Sequence, residues 1–239
     1  MKKFLAYVAA CSFTILTTSF SGLPEPVANP IKRDFLFHLP DNFVSTTTKS
    51  SALYESIGLR EKGLSKEAFD YAYKGYEYLA AKKMISPSGL LTICDFSQSS
   101  KQKRLYIIDV INNSVVFNTY VAHGKNSGGE YARRFSNGAR SLQSSLGFYI
   151  TKNTYFGEHG LSLKLEGLEA GFNDRAFRRA VVLHGASYIG DGLMGRSYGC
   201  PAVPKNESKA IINIIKNGTC LFVYHPEQKY LRSSKILND

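Results

Sequence analysis

The sequence predicts a mainly β domain of the α+β class carrying a small helical N-terminal extension. Three observations lead there. After Gly89 the chain falls into short runs rich in β-branched and aromatic residues, separated by Gly, Asn and Ser clusters. Before Gly89, apolar residues recur at helical spacing. Apolar residues make up 44% of the 239 positions, with 15 Phe and 15 Tyr, enough for a sizeable core without disulfide staples. The length suits one domain with extensions, or at most two small ones.

The chain begins MKKFLAYVAACSFTILTTSFSG. Lys2 and Lys3 precede an apolar stretch, and Ser19-Phe20-Ser21 supplies small residues for cleavage before Gly22, so residues 1–21 read as a secretory signal peptide. The segment is short and Ser/Thr-rich for a membrane anchor. Lipid attachment at Cys11, after Val8-Ala9-Ala10, ranks below cleavage because the apolar run before it is very short. No later segment suits a bilayer span, so the mature protein is expected to be soluble and exported.

Residues 22–50 hold four prolines without sustained periodicity and read as a linker or loosely packed arm. A helical segment is expected over 51–87: a short helix ending near Gly58, then one that starts at the N-cap Ser65. Phe69, Ala72, Tyr76, Leu79 and Ala80 would form its apolar face. Strands are expected in LLTICDF, LYIIDV, SVVFNTYVAHG, SSLGFYITKNTYF, AVVLHG and CLFVYH, with a hairpin turn at Asn112-Asn113. A helix at about 206–216 presents Ile211, Ile212 and Ile215 and stops at Asn217-Gly218. A catalytic-sized domain thus spans 88–225, followed by a C-terminal tail over 226–239.

Thirty Lys and Arg against 19 Asp and Glu give a formal net charge of +11, which favours anionic partners. No recognition helix, zinc finger or aromatic-basic RNA motif is present, and export argues further against nucleic acid. A carboxylate-bearing extracellular polymer is the better match. Of four cysteines, Cys11 would leave with the signal, so Cys94, Cys200 and Cys220 remain, an odd number in an oxidising compartment. Cys94 and Cys220 lie in apolar strand-like runs, where burial or a mutual bridge accounts for them. Cys200 lies in a Gly-rich turn instead.

That turn belongs to the stretch HGASYIGDGLMGRSYGCPAVP, residues 184–204. A neighbouring imidazole can take a thiol proton and create a nucleophilic thiolate. His184 ends a strand, and the carbonyl of Gly185 can accept its other ring N–H and set the tautomer. Gly199 lets the backbone approach a substrate, and the amides of Gly199 and Cys200 are candidate oxyanion donors. By themselves these residues also fit a Gly-rich loop with a half-buried thiol. A metal site built from His184, Cys200 and His123 or His159 lacks closely spaced ligand pairs, so no metal or cofactor is expected.

The segment HG…GRSYGCPAVP resembles the signature of the L,D-transpeptidases, the YkuD-type cysteine enzymes of bacterial peptidoglycan, and most of all the murein L,D-transpeptidase catalytic domain subgroup. LTICDFSQSSKQKRLYIIDV, FNTYVAHGKNSG, RFSN, SSLGFYIT, YFGEHGLSLKLEGLE and GTCLFVY agree with that subgroup, so the resemblance covers about residues 50–225. It implies a compact β-rich domain with Cys200 as nucleophile, His184 as base, Gly185 as the orienting carbonyl, and Ser197, Tyr198 and Gly199 in the oxyanion and substrate loop. Tyr198 stands where the family has histidine, and Pro201 where many relatives have an aliphatic residue. The implied reaction joins peptidoglycan stem peptides by 3→3 cross-links through a thioester, in the periplasm or cell envelope of a bacterium. Hydrolysis of the same intermediate, as an L,D-carboxypeptidase or by release of wall-linked protein, is the alternative, and a non-catalytic wall-binding module is the third. For stem carboxylates Arg196 is the nearest candidate in sequence, whereas Arg133 and Arg134 are expected to be solvated surface. His123 and His159, each before a glycine, are candidates to line the groove, or simple turn residues. Oligomeric state is not indicated.

Overall fold

In the computed structural model, which describes residues 41–189 and 197–239, two helices precede the sheet. Helix α1 (Asp41–Ile57) begins ten residues earlier than the linker expected over 22–50 allows. The reason is local: that stretch's prolines lie at or before position 40, and none follows until Pro87. Gly58, at φ +66°, ends the helix. The segment expected as signal peptide, and the arm as far as residue 40, lie outside the described residues. Helix α2 (Lys66–Ala81) starts on Ser65, whose side chain accepts the Ala68 N–H at 3.1 Å. Phe69, Ala72, Tyr76 and Leu79 are buried along with Tyr73, while Ala80, at the end of the helix, is exposed.

Eight strands follow: β1 (Leu90–Asp95), β2 (Leu105–Asp109), β3 (Ser114–Thr119), β4 (Gly147–Gly157), β5 (Gly160–Gly167), β6 (Val182–Ala186), β7 (Ala202–Pro204) and β8 (Cys220–Tyr224). They form one mixed sheet in the order β3-β2-β1-β8-β4-β5-β6-β7. Only the β1–β8 and β6–β7 pairs are parallel. Strands β5 and β7 fall where no strand is expected. In β5 Leu161, Leu163 and Leu165 alternate with Ser162, Lys164 and Glu166, and β7 is too short to show a period. The turn between β2 and β3 is longer than two residues and is fastened by the Asp109 carboxylate, which accepts the amides of Ile111 and Asn112.

Helix α2 packs on β1 and β8. Phe148 and Phe222 stack at 4.1 Å on β4 and β8, and Tyr71 of α2 stacks on Tyr224 at 6.2 Å. Burying each Phe contributes about 2–3 kcal/mol. The helical segment therefore shares its core with the sheet instead of standing apart. Helix α3 (Lys205–Ile215) buries Ile211, Ile212 and Ile215 against β5, β6 and β7.

The expected C-terminal tail is also part of this body. Helices α4 (Gln228–Ser233) and α5 (Lys235–Asn238) bury Tyr230, Leu231, Ile236 and Leu237. The Tyr230 hydroxyl donates to Glu169 Oε2 at 2.8 Å, Ser234 Oγ donates to Oε1, and the Phe148 amide donates to Oε2 at 2.8 Å. A carboxylate sealed in the core keeps its place only when its oxygens are satisfied in this way. Among the described residues no helix is long and apolar enough to cross a membrane.

Candidate active site

The β6–β7 ladder sets the geometry of the site. His184 is paired with Ala202 in a parallel register, so Cys200 comes level with Val182, two residues and about 7 Å of strand before His184. The Val182 N–H meets Cys200 Sγ at 3.5 Å, and the thiol points to Ala180 O at 3.8 Å. The sulfur's hydrogen bonds thus go to backbone groups that flank Val181, and none goes to His184. Burial raises the Cys200 pKa, against the Val182 N–H and the nearby Arg179 charge, which lower it.

The turn before Cys200 is bound on all sides. Ser197 donates its N–H to His123 O (2.9 Å) and accepts Lys125 N–H at its carbonyl (2.7 Å). Its hydroxyl donates to Cys200 O (2.5 Å) and accepts the Gly199 N–H (3.1 Å). The Gly199 amide, a candidate oxyanion donor on sequence grounds, is therefore committed, whereas the Cys200 amide has no partner among the described residues. Gly199 sits at φ +121°, and a Cβ there would come within 2.9 Å of Gln143 O, so only glycine fits. Arg179 holds the facing segment, donating to Ser136 O (2.9 Å), Ser145 Oγ (2.6 Å), Ser141 Oγ (3.1 Å) and Gln143 O (3.0 Å).

His184 is 4% exposed. Its Nδ1 lies 3.2 Å from Gly185 O, and a carbonyl can only accept, so Nδ1 carries the proton and Nε2 is the free base. Gly185 has no room for a side chain, because a Cβ would lie 2.5 Å from Ser208 Oγ at the start of α3. His159, exposed at the tip of the β4–β5 hairpin, stacks on the His184 ring at 4.2 Å and 19°. Burial lowers the His184 pKa, the Gly185 carbonyl raises it, and His159 lowers it further. Both shifts disfavour the charged forms, so neither group is driven toward a thiolate–imidazolium pair in this arrangement.

His123 does not reach the groove. It is fully buried, with Nδ1 2.8 Å from Arg104 Nη2 and Nε2 3.4 Å from Gly128 O. A guanidinium only donates, so the His123 proton is on Nε2. Arg104, also fully buried, donates Nε and Nη2 to Val121 O and Nη1 to Gln98 O. Burial pushes its pKa down to about 10. This pair props the 121–124 backbone on which Ser197 rests. Arg133 and Arg134 are exposed, and Arg196 lies outside the described residues. Among the described residues no three His, Cys, Asp or Glu side chains converge as a metal site would require.

Cys200 and Tyr198 stand between two clefts. One, of about 310 Å³, is lined by Lys125, His159, His184, Tyr188 and Ser197. The other, of about 600 Å³, is lined by Arg140, Arg175, Arg178 and Arg179 over apolar Leu142 and Val181. Tyr198 is 71% exposed, with Lys125 Nζ 4.5 Å from its ring centroid. These arginines escape a reading by nearness in sequence, although the run FNDRAFRRA places three of them within five residues. A partly exposed thiol between a basic groove and an imidazole-lined one can carry an acyl group between two anionic molecules.

Residues 60–224 match the family described as L,D-transpeptidase catalytic domain. No curated protein matches the sequence. Similar solved structures include an LD transpeptidase, LdtMt1, in complex with imipenem (13% identity, TM-score 0.38, 57% of this chain and 59% of that one). An L,D-transpeptidase from Mycobacterium smegmatis aligns at 11% identity and TM-score 0.38 over the same shares. One from Xylanimonas cellulosilytica aligns at 17% identity and TM-score 0.36 over 68% of this chain and 81% of that one. The chain thus spans about three fifths of the length of the first two.

Proposed function

The chain belongs to the L,D-transpeptidase catalytic domain family, and from that premise we propose that it is a cysteine acyltransferase that forms 3→3 cross-links between peptidoglycan stem peptides. The observation that carries the reading is the position of Cys200 between two clefts, one holding His184 and the other arginine-rich.

In the first step Cys200 Sγ turns from Ala180 O into a neighbouring staggered rotamer, toward His184. It attacks the carbonyl of the third stem residue, a diamino acid, while His184 Nε2 takes the thiol proton. Because neither group is driven toward its charged form, deprotonation accompanies attack instead of preceding it. The uncommitted Cys200 amide donates to the oxyanion. Collapse breaks the amide bond, His184 returns its proton to the leaving amine, and D-alanine departs. The side-chain amine of a second stem then attacks the thioester, giving its proton to His184, which passes it to the departing sulfur.

Incubation of the protein with a disaccharide-tetrapeptide, followed by mass spectrometry, tests the reading. A cross-linked dimer with released D-alanine is expected, and Cys200→Ala should lower its formation about a thousandfold or more. A tripeptide alone would replace transfer by hydrolysis. No product at all, or product undiminished in Cys200→Ala, would overturn the proposal.

A further inference from the structure

The larger cleft holds more positive charge than its own packing uses. Arg179 is committed to four oxygens of the 136–145 segment. Arg140, Arg175 and Arg178 are exposed, and among the described residues none has a carboxylate within ion-pair distance. Among the described residues no Asp or Glu lines the cleft. The adjacent Asp174 turns its Oδ1 to Asn137 Nδ2 (2.6 Å) and the Gly171 amide (2.8 Å). Two residues of the wall, Arg140 at φ +56° and Leu142 at φ +58°, hold the left-handed conformation that side chains disfavour. Like charges gathered along one cleft create a positive potential that favours an anion between them. A planar guanidinium favours a carboxylate, which it can bind through two parallel hydrogen bonds.

The chemistry of the pair orients the occupant. His184 must hand its proton to the leaving amine, so the departing D-alanine lies over the His184 cleft. The acceptor amine must later give its proton to the same nitrogen, so it enters by the same side. The acyl part of the donor is left for the opposite cleft. We propose that Arg140, Arg175 and Arg178 form a carboxylate subsite for the acyl part of the donor stem, holding the free carboxylates of its D-glutamate and diamino acid through both steps. This assignment rests on the acyl-transfer reading of Cys200. It makes the leaving group and the acceptor successive occupants of one cleft, and it makes the protein selective for free-acid donors over amidated ones.

The test compares two tetrapeptides that share a free terminal D-alanine carboxylate and differ only in whether the D-glutamate and diamino acid carboxyls are free or amidated. Calorimetric titration into the full-length Cys200→Ala protein should show the free-acid peptide binding about tenfold more tightly or better. Arg175→Gln with Arg178→Gln should abolish that preference without weakening the amidated peptide. Lysine at both positions should restore part of it. Unchanged thermal melting checks that these exposed substitutions leave the fold intact. Equal binding of the two peptides, or a preference that survives the double substitution, overturns the subsite. Turnover by the unsubstituted protein separates the two claims. Equal kcat/KM for both peptides would remove the subsite and leave the reaction, while a binding preference without turnover would remove the reaction and keep the subsite.

Discussion

Among the described residues three thiols are free, two within the sheet and one on a turn at its edge, and their surroundings differ by position alone. Cys94 and Cys220 sit on the neighbouring central strands β1 and β8, both fully buried. Burial pushes the Cys94 pKa up to about 12 and that of Cys220 higher still. Cys200 sits on the turn that leads into the edge strand β7, where it is partly exposed. An amide and a guanidinium oppose the upward pull of burial there. A thiol in mid-sheet behaves as a small hydrophobe, while one at a strand's end meets backbone donors, charge and solvent at once. Cys94 and Cys220 also cannot bridge. Leu91 pairs with Cys220, so Cys94 lies three residues further along and on the opposite face.

The sharpest way to break this contrast is alkylation of the native protein with iodoacetamide, mapped by peptide mass spectrometry. Cys200 should react about a thousandfold faster or more than Cys94 and Cys220, which need opening of the core to react. Its rate should rise with pH through a midpoint above the ordinary thiol value. Comparable labelling of Cys94 would show that burial does not separate the thiols. Arg179→Ala comes next. It removes four hydrogen bonds from the segment facing Gly199 and a positive charge near the sulfur, so cross-linking should fall about ten- to a hundredfold. Arg179→Lys should keep the thiol titration nearer that of the parent without recovering full cross-linking, since an ammonium cannot span the same oxygens. Cys94→Ser should leave Cys200 labelling unchanged and cost about 1–3 kcal/mol in denaturant unfolding, the penalty for burying a hydroxyl among apolar neighbours.

Much of this architecture is readable before any coordinates. Six strands announce themselves through β-branched and aromatic runs, and Ser65 and Gly218 punctuate helices through local backbone chemistry that needs no tertiary context. What escapes the sequence depends on distance in the chain. The tail's place in the core rests on Tyr230 and Ser234 meeting Glu169, more than sixty residues away. His123 looks like a groove residue because a glycine follows it, yet Arg104 draws it inward. The proposed catalytic pair stands out because its residues share one Gly-rich stretch. The arginine cleft does not, because Arg140 and the 175–179 run are joined only when their segments fold beside Cys200.

The smallest effect concerns His159, which sequence marks as a groove-lining candidate or a turn histidine and which the structure lays flat on His184. Burial is the chief cause of the lowered His184 pKa, and the His159 charge adds to it. Both push the same way, because each disfavours the imidazolium. Removing the ring in His159→Ala therefore raises the His184 pKa by admitting water and by removing the charge. The proposed reaction needs neutral His184, so the acid limb of its kcat/KM profile should move to higher pH, with activity lost first under mildly acidic conditions. His159→Phe keeps the cover and removes only the charge, so its acid limb should move less than that of the alanine variant. A profile unmoved in His159→Ala would mean that the stack shields nothing. Equal displacement in both variants would make charge, not cover, the means by which the hairpin acts on His184.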